Sequence, residues 1–301
     1  MSTLIHRTHL GPVTPAAGIV MALTAFAMFT GMDTAIKFLG GRYHVLQVMW
    51  FNSLFALAAV VALAALRGRA GLLWPRHWRL QLTRWSISFF ATIAIFWSYP
   101  RLALADAYAI LFTSPLLITA LSAAMLGEPV SWRRWLAVLV GFSGVLVVLD
   151  PGHGMVAWAG LAVLAGAVGH AFNMIYVRKM GVAGEAVEAT GLAGNLLSIL
   201  VLPLFLPWVW QTPSAADLTL AGAGGLLAGS GFLLLASAFR LAPAAVIAPF
   251  QYSQMLYGLA VGWLLFADLP SPQMLAGSAI IVGSGLYVLH GETRARRSRP
   301  R

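Results

Sequence analysis

The chain contains no cysteine. Disulfides, thiolate metal sites and thiol nucleophiles are thereby excluded, and thiol usage says nothing about the redox compartment. Acidic residues are also scarce, with Asp and Glu together numbering 9 among 301 residues. Charged residues of both signs make up 9% of the chain, against roughly 25% in an average soluble protein. No carboxylate stands near the centre of an apolar run, so a proton relay built on a mid-membrane Asp or Glu is not visible. The phosphate-cradling string G-x-x-x-x-G-K-[ST] is missing too, so ATP-driven work would need a separate subunit.

Apolar residues, by contrast, supply 60% of the chain, and mean hydropathy is +0.83. They fall in runs near the roughly 20 residues that cross a hydrocarbon core about 30 Å thick. Such runs lie near 16–38, 44–66, 80–99, 105–126, 134–149, 156–177, 188–206, 218–239, 244–266 and 272–290. Lipid offers no partner for backbone N–H and C=O groups, and the alternation of a barrel strand is absent, so the spans are expected to be helices. The first run exceeds the signal-peptide core of about 7 to 15 residues and lacks a small-residue cleavage site, so it is expected to stay. The fold class predicted is an all-α polytopic membrane protein with ten transmembrane helices.

Orientation follows from the basic residues. With the N-terminus in the cytoplasm, every Lys and Arg lies inside except Lys37, Arg42 and Arg101. An even number of spans returns the C-terminus to the same side. The expectation is a multi-pass protein of the bacterial inner (plasma) membrane with both termini cytoplasmic. The net charge of +10 is therefore read as topogenic, and no nucleic-acid partner is expected.

The chain repeats itself. Residues 101–149 open "RLALADAYAILFTSPLLITAL" and close "SGVLVVL", while 240–289 open "RLAPAAVIAPFQYSQMLYGLA" and close "SGLYVL". The alignment matches Arg101 with Arg240, Ser114 with Ser253 and Glu128 with Asp268. Five spans per copy is an odd number, so the second copy enters the membrane inverted. The organisation predicted is a five-helix repeat over 1–150, an inverted five-helix repeat over 151–290 and a basic cytoplasmic tail over 291–301. Inverted repeats of this kind are typical of secondary transporters, whose substrates bind near the midplane between halves.

The stretch "ALADAYAILFTSPLLITALSAAMLGEPVSWRRWLAVLVGFSGV" resembles the EamA-type transporters of the drug/metabolite transporter superfamily. It shows the small-residue entry, mid-span Ser-Pro, terminal Gly-Glu and glycine-bearing fifth span of that family. The second half departs from the pattern with "YSQ" for Ser-Pro and "FAD" for Gly-Glu, and Trp50 stands where many relatives carry an arginine. The resemblance covers essentially the whole chain and implies a ten-helix carrier of small organic metabolites.

The candidate substrate-binding residues are polar groups at span depth. In the ninth span Gln251, Gln254 and Gly258 fall within an arc of about 60°, extended by Ser253 and Tyr257. The fourth span offers Tyr108, Phe112, Thr113 and Ser114 beside Pro115, which removes a backbone donor and exposes polar backbone. His170 and Asn173 follow in "GHAFNMIY", and Asn52 lies near the middle of the second span. Helix-to-helix hydrogen bonding is the competing reading of each. Asp33 and Lys37, at i and i+4, read as an ion pair within one helix, and the spacings Gly225–Gly229 and Gly258–Gly262 as close helix approaches.

Two other functional classes compete. Ser230 in "LAGSGF" could serve an intramembrane serine hydrolase, but that chemistry needs a histidine within hydrogen-bond reach. A channel would favour a polar stripe running through several spans. The polar groups here cluster centrally, as alternating access requires. The function predicted is therefore a secondary transporter, not an enzyme, exporting amino acids or their analogues. Uptake of a cofactor-like metabolite is the alternative. No cofactor or metal is expected, and the chain is expected to act as a monomer in contact with membrane lipid.

Overall fold

The computed structural model describes residues 15–126, 132–149, 154–242, 244–268 and 270–297. Glu128, expected to end the fourth span, lies outside the described residues, as do the last four residues of the tail. Twelve α-helices follow in order among the described residues, and no strand. They are α1 (Pro15–Gly40), α2 (Val45–Leu66), α3 (Trp78–Ser98), α4 (Leu104–Leu111), α5 (Ser114–Leu126) and α6 (Trp132–Leu149). The second set comprises α7 (Gly154–Val182), α8 (Val187–Val201), α9 (Ala215–Leu241), α10 (Ala244–Ile247), α11 (Ser253–Phe266) and α12 (Pro272–Arg297).

Six segments are long and apolar enough to cross a membrane, among them Ala16–Gly40, Val45–Leu66, Leu104–Leu121 and Ala215–Leu241. The expected spans outside that set are helical as well. In them α3 carries Arg79 and Arg84, α6 is short, the ninth run is broken at Pro249 and α12 continues into the basic tail. Large apolar side chains point outward, with Phe90, Trp158, Leu256, Trp263 and Leu264 each at least 63% exposed. Such a skin fits lipid rather than water.

The fourth and ninth spans are each two helices rather than one. Pro115 has no N–H, and the helix restarts behind it when the N–H groups of Leu116 and Leu117 both take the Thr113 carbonyl at 2.9 Å. The Thr113 hydroxyl donates back to the Ile110 carbonyl at 2.7 Å. In the ninth span Pro249 sits in a 3₁₀ turn over Ala248–Tyr252 between α10 and α11. The restarted helices begin at Ser114 and Ser253, the two residues matched by the repeat. Phe112 and Tyr252, just ahead of them, meet edge-on with ring centroids 4.9 Å apart.

Packing repeats with the sequence. By order, α1, α2, α3 and α6 correspond to α7, α8, α9 and α12, and α4–α5 to α10–α11. Helix α1 lies along α9 as α7 lies along α3, while α2–α8, α4–α11 and α6–α12 bring counterparts together. The counterparts run in opposite directions: a Cβ on Gly141 would touch Ser284, and one on Gly277 would touch Val148. Likewise Trp50 reaches the Ile199 carbonyl, whereas Val60 lies beside Gly191. The halves are thus inverted, and they interleave: α1 and α2 pack on α9, and α7 and α8 on α3.

Glycines make the tightest seam. A Cβ on Gly225 would stand 2.6 Å from the Phe55 Cβ and 2.8 Å from the Asn52 carbonyl, and one on Gly229 would collide with the Ala56 carbonyl. Backbone of α9 therefore lies directly on backbone of α2, as the G-x-x-x-G spacing predicts.

Helix α11 ends on Ala267 in the left-handed region, at φ 55°. That conformation costs a residue with a Cβ roughly 1 to 2 kcal/mol, and glycine far less. The first copy carries Gly127 at the matching position. Ala267→Gly is expected to gain up to about 1 kcal/mol, read as a higher melting temperature in detergent. An unchanged or lower value would show that the turn is not strained.

Candidate functional site

A cavity of about 290 Å³ lies between the α2–α9 pair and the bundle of α3, α7 and α8, with Phe29 of α1 at its edge. Its polar wall is built largely by α3. Gln81, Arg84, Ser88 and Thr92 recur at spacings of three and four, which puts them on one helical face. The last three of them line the cavity. Trp85, Phe89 and Phe232 supply an aromatic wall. The Trp85 indole N–H is fixed by the Ser198 hydroxyl at 3.0 Å, and its ring lies 4.9 Å from that of Phe89.

Arg84 is the centre of this arrangement. Its side chain belongs to a residue only 8% exposed. Nε donates to Gln81 Oε1 at 3.2 Å, Nη1 to Asn173 Oδ1 at 3.0 Å and Nη2 to the Thr190 carbonyl at 3.2 Å. Asn173 Oδ1 also accepts from the Ser88 hydroxyl at 3.0 Å. Gly194 makes the room, since a Cβ there would stand 3.0 Å from Nη2. A guanidinium has five N–H donors, so two remain for an occupant of the cavity. All its partners are neutral, and no carboxylate pairs with it among the described residues. A buried cation without a counter-charge is costly, which makes an anionic group the natural complement. Asn52 adds a buried Oδ1 that has no partner among the described residues.

Of the residues singled out from sequence, the structure brings Asn52 and Asn173 together in this cavity. The others lie off it. Tyr108, Phe112, Thr113 and Ser114 are buried in the interior around the α4–α5 break. Gln251, Ser253, Gln254 and Tyr257 are half-buried on α11 and the turn before it, and His170 is half-buried on α7. Ser114 and Ser253, the repeat partners, both carry a buried hydroxyl without a partner among the described residues. Arg84 was missed by reading it as one of the loop arginines that set topology. The polar stripe on α3 is the signal that could have found it.

Polar contacts tie the two ends of the bundle. At the end where α1 stops, Lys37 bonds Asp268 at 2.6 Å and the Leu102 carbonyl at 2.8 Å. The expected Asp33–Lys37 pair is therefore corrected: the ammonium reaches across to a second helix, and Asp33 takes the Tyr108 hydroxyl instead, at 2.8 Å. Beside it Asp217 binds Arg42 at 2.7 Å and the Tyr43 hydroxyl at 2.8 Å. Gln47 and Gln211 exchange two hydrogen bonds, of 2.6 and 3.0 Å. At the opposite end Arg69 pairs with Glu188 at 2.6 Å. There Glu185 accepts from the N–H groups of Arg76 and His77 at 3.0 and 3.1 Å and meets His77 Nδ1 at 2.8 Å. Burial pushes the Glu185 carboxyl up, but these hydrogen bonds outweigh it and hold it below the usual carboxylate range.

Comparison with known proteins gives the arrangement its context. Residues 16–150 match the EamA-like transporter family. An S-adenosylmethionine uptake transporter of Rickettsia felis is 23% identical over 278 residues, covering 92% of this chain and 94% of that protein. A riboflavin transporter of Vibrio cholerae is 29% identical over 293 residues, covering 94% of this chain and 96% of that protein. A solved crystal structure superposes with a TM-score of 0.63 over 94% of this chain and 99% of the other, at 20% identity, which bears on the fold alone. A helical bundle of inverted halves around a polar-walled cavity, an EamA-like domain in its first half and full-length relatives that are carriers converge on one reading. The chain is a multi-pass bacterial membrane transporter of small metabolites and not an enzyme, and its residues 16–150 match the EamA-like transporter family.

Proposed function

We propose that the protein takes up a cofactor-like metabolite that joins a planar heteroaromatic ring to a carboxylate or other anionic group. The observation that carries this reading is the buried Arg84 guanidinium, which faces the cavity with two free donors and no acidic partner among the described residues. An arginine presents its donors as a planar fork suited to a carboxylate, and Trp85, Phe89 and Phe232 offer faces on which a ring can stack. The relatives support uptake of a cofactor-like compound better than export of amino acids, the first expectation from sequence. The Lys and Arg distribution supports an inner-membrane location with both termini cytoplasmic. Exchange of access between the two ends requires only that the α1–α2–α9 and α3–α7–α8 bundles tilt about the cavity they share.

The test is flux into proteoliposomes of labelled S-adenosylmethionine, which carries a carboxylate and an adenine ring, and of riboflavin, which has a ring and no carboxylate. Uptake of the first above that of empty liposomes, poorly inhibited by riboflavin, is the expected result. Movement of riboflavin alone would overturn the anionic requirement, and movement of neither would overturn the uptake reading.

A further inference from the structure

Asp33 sits in α1 at 3% exposure, about 10 Å from that helix's end. Its Oδ2 accepts the Tyr108 hydroxyl at 2.8 Å. Its Oδ1 is buried and has no partner among the described residues. One turn further on, on the same face, Lys37 has placed its ammonium elsewhere, on Asp268 at 2.6 Å and the Leu102 carbonyl at 2.8 Å, over the Phe266 ring. Two carboxylates thus stand within reach of a single ammonium. Asp33 lies on its own helix at i−4, a spacing that permits pairing. Asp268 lies beyond α11, so that bond closes α1 onto the other half of the molecule.

We propose that Asp33 is a proton-binding site that sets whether this clasp is closed. The proposal rests on the carrier reading above. With Lys37 on Asp268, an ionised Asp33 would be a buried carboxylate holding one hydroxyl and one bare oxygen, which is unfavourable. A proton on Oδ1 removes that charge and leaves Oδ2 free to accept from Tyr108. When the proton leaves Oδ1 for water, the carboxylate becomes the better partner for Lys37. The ammonium then turns back one helical turn, the Asp268 bond is lost, and α1 separates from the end of α11. No covalent bond other than O–H is broken, and the cluster loses one positive charge, so the step responds to a pH gradient and to membrane potential.

The surrounding groups are consistent with this exchange. Tyr99, from the turn after α3, faces Asp33 together with Tyr108. Asp106 of α4 faces Lys37 and Asp268, and adds to the pull that holds the ammonium on that side. Helix α11 and the turn before it bring only Tyr257 and Tyr252, and α2 and α10 bring no ionisable group. Asp217 of α9 is committed to Arg42 and Tyr43, Arg240 lies at the far end of α9, and Arg84 of α3 lines the cavity.

The test needs no substrate. Because the chain has no cysteine, nitroxides can be placed at Gly41→Cys and Leu265→Cys, beside the clasp but outside it, in the full-length protein. Distances between them are followed with pH by pulsed electron resonance, and the carboxylic-acid C=O band by infrared titration. The expected result is one band that disappears as pH rises, with the nitroxides passing from a short to a longer distance over the same interval. Asp33→Asn should abolish the band's titration and hold the short distance throughout. Asp268→Asn should give the long distance at every pH, and Asp106→Asn should keep the titrating band. The proposal is overturned if the wild-type distance ignores pH, if Asp33→Asn retains the same pH response, or if the band vanishes with Asp106→Asn instead. Failure to move either labelled compound would overturn the uptake reading and leave both of these readouts decisive.

Discussion

Arg84→Met is expected to weaken recognition of an anionic substrate sharply while changing the protein's stability little. Hydrogen bonds to a charged group are worth about 1.5 to 3 kcal/mol, so losing the fork should weaken binding of a carboxylate-bearing compound by about 10- to 150-fold. Stability behaves differently because two of the arginine's three present partners remain satisfied without it, and only Gln81 Oε1 is left bare. Asn173 Oδ1 keeps the Ser88 hydroxyl, and the Thr190 carbonyl lies in the interior of α8, where the backbone ladder engages it. What the substitution removes is a buried cation that no described acid neutralises. Flux and a melting curve of the same sample decide the matter. A melting temperature that falls along with flux would show that Arg84 holds the helices together and does not wait for a ligand. Arg84→Lys, which keeps the charge without the planar fork, should fall between the two.

Gly229→Leu should be the most damaging single change in the molecule. The new Cβ would collide with the Ala56 carbonyl oxygen, and a backbone atom cannot move aside as a flexible side chain can. Forcing α2 and α9 apart would also open the Gly225 contact one turn away. Overpacking of this kind costs about 3 kcal/mol, comparable to much of the stability of an ordinary domain. The measurement is the yield of monodisperse protein on size exclusion, with melting temperature where any survives. Gly283→Ala is the control, because a Cβ there meets nothing within 4 Å, and it should be neutral or gain a fraction of the roughly 1 kcal/mol by which alanine exceeds glycine in a helix. Equal behaviour of the two variants would show that the seam tolerates separation.

Much of the architecture was legible from residues 101–149 and 240–289, because a duplicated Arg-Leu-Ala entry and a shared Ser-Gly close survive in plain view. Span count and inversion follow from hydropathy and the odd number of helices per copy. The Ser-Pro pair announced the break between α4 and α5, since proline acts on the backbone four residues away. The break at Pro249 was less legible, because the second copy has Gln254 where the first has Pro115. Asp33 and Lys37 illustrate the limit of local spacing. The i, i+4 rule identified the right neighbours, yet the ammonium's partner lies 231 residues away, and no periodicity reports that. The same limit applies to Gln251 and Gln254. Their shared arc can be drawn from sequence, but the direction of that arc is set by packing between halves. Arg84 was legible in principle, but hydropathy averaging hides one cation at the mouth of a span among the other arginines near it.

Interleaving of the halves carries a consequence for how the chain comes into being. Helices α1 and α2 leave the ribosome long before α9, the helix that covers their small-residue faces, and α3 waits equally for α7. For much of synthesis, then, inserted helices rest in lipid with their eventual contact faces unclaimed, until the second half of the chain closes the α3 bundle with α7 and α8 and then the α1–α2 bundle with α9. A polypeptide cut between α6 and α7 would yield two pieces that are each missing a wall of both bundles. Neither should hold shape alone, and together they should recover it.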